Sequence, residues 1–477
     1  MRAMQFDSFT FLVFFALVLA IYNAIPAWSA RKWFLLLASY IFYAAWNPPF
    51  LLLLIASTTL DWWIAQRIDA ATDPRRRKTW IVATLLVNLS VLGYFKYSRF
   101  LLDNFAALLD PFGVHYVPAK LDIVLPIGIS FYTFHSLSYC LDIYRGKFAP
   151  TRSWRDYALY VGFFPQLVAG PIVRFTQMRA QIETPRRTTA SGLGLGLTLL
   201  TLGLFEKIVL ADSIFAPVAD ALFNKPQAAG GALAWSGTLA FAGQIFCDFA
   251  GYSSCALGAA LALGFILPIN FRNPYAAIGF SDFWRRWHIS LSSWLRDYLY
   301  IGLGGNRHSA WRTYLNLMLT MLIGGLWHGA AWTFVVWGGL HGIYLCVERV
   351  IREHLAPARW QQNAIVRFGY GLLTLFGVML AWIWFRASDF SSAWLIQSKL
   401  LELSTLRAGI AASSSDQRIA VITLLALILV HWLFRERDIK QLFTRLHPLL
   451  LGLLLAIMLT LIVLSPGENH AFIYFQF

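Results

Sequence analysis

At 477 residues, 58% of them hydrophobic and only 13% charged, this chain has about half the charge of a soluble domain, in which about 25% of residues are ionisable. A large water-soluble core is excluded. The net charge of +15, from 39 Lys and Arg against 24 Asp and Glu, sits in short loops between apolar runs, the pattern of topology determinants beside membrane lipid rather than of a nucleic-acid surface.

A membrane span needs about 20 apolar residues, and such runs recur along the whole chain. The first, 8–27, lacks a basic flank beyond Arg2 and reads as a retained span rather than a cleaved signal. Runs 33–46 and 50–64 are short and predict a hairpin through Asn47-Pro48-Pro49. After 79–94 and 121–141 comes 157–173, where Gly162, Pro165, Gly170 and Pro171 predict a broken, re-entrant segment. Then follow 192–212 and 232–267, the latter long enough for a tilted span plus a turn, and 312–326, 331–348, 368–386, 417–434 and 448–464. The expected fold class is an all-α, polytopic membrane protein forming a single domain over 1–477, with no linker or repeat to divide it.

Basic clusters lie at Arg31-Lys32, Arg75–Lys78, Arg145–Arg155, Arg174–Arg187, Arg285-Arg286, Arg349–Arg367 and Arg435–Arg445. If all are cytoplasmic, an even number of crossings separates each pair. That holds between the third and fourth only if 157–173 re-enters, and it puts both termini on the side of the membrane opposite the basic clusters. Cys140, Cys247, Cys255 and Cys346 all lie in apolar sequence without zinc spacing, so neither a disulfide framework nor a metal is expected.

Three positions stand out as chemistry. His328 follows Arg312 by 16 residues, about 24 Å at about 1.5 Å per residue, short of the ~30 Å hydrocarbon thickness. The turn holding it is therefore expected inside the membrane, where an ionisable side chain is a functional candidate by default. Gly324, Gly325 and Gly329 around it allow close backbone approach. His288 belongs to an amphipathic stretch in which Trp284, Trp287, Leu291, Trp294, Leu295 and Tyr298 recur at helical spacing, with Ser281 as the expected N-cap. Taken alone, an interfacial anchoring helix explains that stretch better than a site does. Asp248 stands alone in an apolar run with Tyr252 one turn on, so it must be paired, protonated or functional. His135 and His341 fit packing roles. No hydrolase elbow, HExxH, Walker loop or HxxxxD motif is present.

Five stretches in this order resemble the membrane-bound O-acyltransferase (MBOAT) family, in the branch of bacterial alginate O-acetyltransferases and D-alanyl-teichoic-acid transferases. They are Leu125-Pro-Ile-Gly-Ile-Ser-Phe-Tyr-Thr-Phe134, Phe164-Pro-Gln-Leu-Val-Ala-Gly-Pro-Ile172, Asp248-Phe-Ala-Gly-Tyr-Ser253, Phe283-Trp-Arg-Arg-Trp-His-Ile-Ser-Leu-Ser-Ser-Trp-Leu-Arg-Asp-Tyr298 and Gly324-Gly-Leu-Trp-His-Gly329. The terminal Phe472-Ile-Tyr-Phe-Gln-Phe477 is similar too, and the motifs are densest over 125–350. One departure is Ser254, where alginate-type members more often carry Asp, which bears on the polymer more than on the reaction.

The resemblance implies a ring of about 11–13 tilted transmembrane and re-entrant helices in which a tunnel meets a funnel from the opposite face. It implies that His328 is the catalytic histidine and His288 a second polar residue of the active site. Such an enzyme moves an acetyl group from acetyl-CoA or another acyl thioester (a coenzyme A or acyl-carrier donor), with no tightly bound cofactor. The group passes towards an extracytoplasmic polysaccharide such as alginate, with a periplasmic or membrane-anchored acetyltransferase partner. A neutral imidazole is suited to take the proton of the attacking hydroxyl near neutral pH. Asp248, Tyr252 and Trp327 would support the site, and Arg285 and Arg286 would meet an anionic donor. D-alanyl transfer to a cell-envelope polymer is the neighbouring alternative. A transporter or flippase using its intramembrane His and Asp as a polar pathway is the alternative from another class.

Overall fold

The computed structural model describes residues 4–118, 121–355, 363–402, 404, 409–465 and 472–473. Among these the regular structure is helical, with no strand, because apolar chain in lipid must satisfy its backbone polar groups within itself. Seven described helices are long and apolar enough to cross a membrane, and Phe9–Ala24 and Pro448–Leu464 are shorter apolar ones. This is a multi-pass membrane protein of the all-α class.

The chain forms two compact units, one of residues 1–197 with 256–268 and one of 198–255 with 269–477. The first holds α1 (Phe9–Ala24), α2 (Trp28–Ala44), α3 (Pro48–Ala70), α4 (Pro74–Leu92), α5 (Ser98–Leu109), α6 (Ile129–Tyr144), α7 (Trp154–Gly162), α8 (Phe164–Leu167) and α9 (Phe175–Glu183). Pro48 and Pro74 open their helices, where a missing N–H costs no intrahelical bond. Buried Asp61 of α3 accepts hydrogen bonds from Thr84 Oγ1 at 2.6 Å and Asn88 Nδ2 at 2.9 Å, both on α4. The apolar stretch 121–141 turns helical only at Ile129. Pro126 and Gly128 delay it: Gly128 has φ +75°, and a Cβ there would lie 2.6 Å from the Leu167 carbonyl oxygen. The stretch 157–173 breaks as expected, with α7 and α8 separated at Phe163 and no helix from Val168 to Arg174.

Two helices, α10 (Ala190–Leu204) and α12 (Gly231–Ala262), contain the boundary between the units. A π-helical segment, Phe205–Phe215, follows α10 and leads into α11 (Ala216–Phe223). At 32 residues, α12 is about 48 Å long, ample for a tilted crossing. The second unit continues with α13 (Phe280–Arg286), α14 (Ile289–Trp294), α15 (Ala310–His328), α16 (Trp332–Val350), α17 (Ala364–Arg386), α18 (Phe390–Lys399), α19 (Ser415–Leu433), α20 (Ile439–Arg445) and α21 (Pro448–Leu464).

The amphipathic stretch around His288 departs from expectation. It is not one helix capped by Ser281: α13 starts after Gly279 (φ +97°), stops at Arg286, and α14 resumes at Ile289. A π turn, Leu295–Tyr300, closes it.

Helices α15 and α16 form a hairpin whose backbones meet at glycines. A Cβ on Gly325 would lie 2.3 Å from the Phe334 carbonyl oxygen, and one on Gly338 2.3 Å from that of Met321. Backbone cannot swing aside as a side chain can, so Gly325→Ala should destabilise the protein by about 1–3 kcal/mol. Gly324→Ala, whose Cβ would meet only the flexible Leu295 Cδ1 at 3.1 Å, is the tolerated control. Thermal unfolding of the two purified variants should separate them by several degrees, the first melting lower.

Candidate functional site

The α15–α16 hairpin delivers His328. Its helix ends there because Gly329 is extended (φ −157°), and a Cβ at 329 would overlap the Phe334 ring at 2.0 Å. The imidazole is 4% exposed and is walled by Trp327, Trp337 and Phe385, with ring centroids at 4.9, 5.0 and 5.4 Å. It also lines a cavity of about 540 Å³ shared with Met321, Gly324, Trp284, Ser281 and Arg285.

His288 occupies the break between α13 and α14. It is fully buried, its backbone is left-handed at φ +42°, and strain of that kind persists only where the surroundings hold it. Asn270 is the holder. Its carbonyl accepts from Ile289 N at 2.9 Å, its Oδ1 from Ser290 Oγ at 2.6 Å, and its Nδ2 donates to Ser253 Oγ at 3.1 Å. Arg272 N donates to the Arg286 carbonyl at 3.0 Å on the near side of the break. Phe249 meets the imidazole edge-on at 4.7 Å. The two histidines, 40 positions apart in the sequence, come together with ring centroids 6.3 Å apart, and Trp327 borders both. One hydroxyl or carbonyl group fits the scale of that separation.

Asp248 and Tyr252 lie behind this pair on α12. Asp248 Oδ1 is 2.7 Å from Lys207 Nζ, and its Oδ2 accepts from Ile473 N at 2.7 Å. Lys207 also reaches Asp212 at 2.9 Å, five residues on, in the π-helical segment Phe205–Phe215. The wider π turn, bonded i to i+5, puts residues five apart on one face. The Tyr252 ring lies tilted against that of Phe472, with centroids 4.7 Å apart. Ser254 donates to Glu206 Oε2 at 3.3 Å. Of the terminal stretch Phe472–Phe477, residues 474–477 lie outside the described residues.

The two neighbouring arginines separate. Arg285 is exposed, lines the His328 cavity and donates to Ser281 Oγ at 3.2 Å. Arg286 is 6% exposed and fully engaged within the fold, with Asp282 at 3.0 Å, Glu436 at 3.0 Å and the Arg435 carbonyl at 2.7 Å. Burial alone would raise the Asp282 carboxyl pKa. The Ile278 N–H and the Arg286 and Arg435 guanidiniums instead hold it below the usual carboxylate range. Arg286 is therefore a clamp on α13, and of the two only Arg285 is exposed. A second cavity of about 590 Å³ adjoins Ser281 and Arg285 and is lined by Arg352, Arg367 and Arg435 with Asp282 and Glu348.

Sequence reasoning missed Asn270, Lys207 and Trp337. Only the isolated Asp248 signalled Lys207, since a membrane carboxylate requires a partner. His341, expected to pack, is fully buried, parallel to Phe283 at 5.9 Å and edge-on to Trp284 and Trp337 at 5.0 Å each.

Residues 151–386 match the model of the membrane-bound O-acyltransferase family. The chain is 44% identical to the probable alginate O-acetylase AlgI of Azotobacter vinelandii, over 82% of this chain and 77% of that protein. It is 38% identical to the peptidoglycan O-acetyltransferase of Helicobacter pylori, over 76% and 72%. A more distant relative, the teichoic acid D-alanyltransferase of Streptococcus thermophilus, is 29% identical over 46% and 56%.

Proposed function

Because this chain belongs to the membrane-bound O-acyltransferase family, we propose that it moves an acetyl group from a cytoplasmic thioester donor to hydroxyls of an extracytoplasmic polysaccharide of the alginate type, with His328 as general base and His288 beside it. The observation that carries this reading is a cavity of about 540 Å³ lined by both the buried His328 and the exposed Arg285, with the ring of the second histidine 6.3 Å from that of His328.

The chemistry asks little of the protein beyond positioning and one proton transfer. A neutral His328 takes the proton of the attacking hydroxyl as its oxygen bonds to the thioester carbon. The C–S bond then breaks, and the imidazolium returns the proton to the departing thiolate. His288, held by its backbone break, orients the carbonyl or the hydroxyl. Trp327, Trp337 and Phe385 exclude water, which would otherwise compete as acceptor.

Arg285, Arg352 and Arg367 suit the phosphates of coenzyme A or of a carrier-bound thioester arm. Arg285→Glu should raise the donor KM about three- to tenfold with kcat nearly unchanged, since an exposed charge contributes modestly and reversing it doubles the change. Initial rates at low and high salt check this: the difference from wild type should shrink as salt screens the arginines. The basic clusters support both termini lying on the side opposite them; an inner-membrane setting with those termini periplasmic, and delivery to the polymer through a periplasmic or membrane-anchored partner, belong to the same proposal.

Radiolabelled acetyl-CoA given to the purified protein in nanodiscs, with alginate and a carrier-bound acetyl donor as comparisons, tests the proposal. Label should leave the thioester and appear as an O-acetyl ester. If label stays on the donor while proteoliposomes move a solute across the bilayer, the transporter reading takes its place.

A further inference from the structure

The wall of the His328 cavity carries hydrogen-bond donors whose acceptors the fold does not supply. Trp337, on α16, is 1% exposed and lines the cavity of about 540 Å³. Its Nε1, the one polar atom of the side chain, is buried with no hydrogen-bond partner among the described residues. Trp284, on α13, lines the same cavity with its own Nε1 in the same condition. A buried donor left unmatched is costly, and two beside one cavity point to a ligand that brings the acceptor. An indole N–H donates and never accepts, so the ligand atom it takes is an oxygen with free lone pairs.

Of the two indoles, Trp337 is placed for the reacting carbon. Its ring meets that of His328 edge to face at 5.0 Å. Trp382 backs it in a stack at 5.8 Å, and His341 and Phe385 meet it at 5.0 and 5.2 Å. Its neighbour Gly338 seats α16 against α15, where a Cβ would lie 2.3 Å from the Met321 carbonyl oxygen. The height of the indole relative to His328 is therefore set by backbone, and the donor is fixed before any ligand arrives, the condition under which such donors are most effective. Two oxygens come to this point in acyl transfer. The attacking hydroxyl gives its proton to His328 and its lone pair to the carbon, and a donor on that oxygen would blunt the attack. The thioester carbonyl oxygen gains charge as the new bond forms, so it is the oxygen that a fixed N–H favours.

We infer that the Trp337 indole N–H is a catalytic hydrogen-bond donor to the thioester carbonyl oxygen, which leaves His288 to orient the hydroxyl. The inference rests on the reading of this cavity as the place where a thioester meets His328. As the hydroxyl oxygen adds to the carbon, the C=O pair moves onto the carbonyl oxygen and the indole bond strengthens. As the C–S bond breaks, that pair returns to the carbon, and the indole keeps its proton throughout.

The test replaces the N–H and little else. Trp337→benzothienylalanine puts sulfur in place of N–H in a ring of the same shape. In the full-length protein in nanodiscs it should lower kcat about 10²-fold, the scale of one lost oxyanion donor, with donor KM nearly unchanged. Trp337→Phe should fall at least as far. A second readout needs no turnover. S-acetonyl-pantetheine carries an unreactive ketone on the arm common to coenzyme A and a carrier, and its carbon-13-labelled carbonyl gives a separate infrared band. That band should move to lower frequency on binding to the wild type and lose most of the shift in the benzothienylalanine protein. Wild-type kcat in that protein, or an equal carbonyl shift with and without the N–H, overturns the inference. A fully active His328→Ala would sink the base assignment, whereas the carbonyl shift, which needs no proton transfer, would still report on Trp337.

Discussion

Replacing His328 with alanine should lower acetyl transfer by about 10²–10⁴-fold, the usual contribution of a positioned general base, while donor binding stays near wild type. The separation follows from where the ring sits. It is buried against Trp327, Trp337 and Phe385, whereas the charges suited to the donor's phosphates gather around the exposed Arg285, which lines this cavity and its neighbour. Steady-state rates should therefore show a collapse of kcat with little change in donor KM, the mark of an interaction made only in the transition state. His328→Gln keeps polar volume without a usable base and should fall about as far. A loss confined to KM would instead make His328 a binding residue.

The second large effect is at His288, where side chain and backbone can be separated. Asparagine tolerates the left-handed conformation observed at φ +42°. His288→Asn should therefore fold normally and lose about 10²-fold or more in kcat, as expected for loss of a polar group that touches the reacting atoms. A β-branched residue does not tolerate that backbone. His288→Val should add about 1–3 kcal/mol of strain and lower the melting temperature as well as the activity. Melting curves beside kcat for the two variants give the answer. Equal stability of both would mean that the break is not strained in solution.

Much of the fold was legible because lipid imposes one strong rule. Apolar runs of sufficient length become helices, and the deficit of charged residues announced them before any motif was considered. Gly162 and Pro165 marked the broken stretch 157–173 for the same reason: both interrupt a helix by their own covalent structure. His328 was accessible through simple length, its distance from Arg312 falling short of a crossing.

What escaped the sequence depends on contacts between distant residues. No glycine or proline stands at the α13–α14 break, and the helical spacing of Trp284, Trp287, Leu291 and Trp294 predicts an unbroken helix. Asn270, 18 positions upstream, overrides that local preference with three hydrogen bonds. Arg285 and Arg286 look alike as neighbours, and only Asp282, Glu436 and the Arg435 carbonyl distinguish the clamp from the exposed cation. Lys207 and Asp248 pair across 41 positions and two helical segments, a distance that periodicity does not span. The late start of α6 is a different failure. Apolar composition at 121–128 reports burial or lipid but not backbone conformation, and the turn at Gly128 depends on the approach of Leu167.

The central claim is that His328 performs the proton transfer of acyl movement. It is tested most directly by a single-turnover reaction with acetyl-labelled donor, comparing wild-type protein with His328→Ala after equilibrium binding of the donor to both has been measured. The account predicts equal donor binding, rapid movement of label to the acceptor hydroxyl in the wild type, and label remaining on the thioester in the variant. Label moving at the wild-type rate in His328→Ala would contradict it.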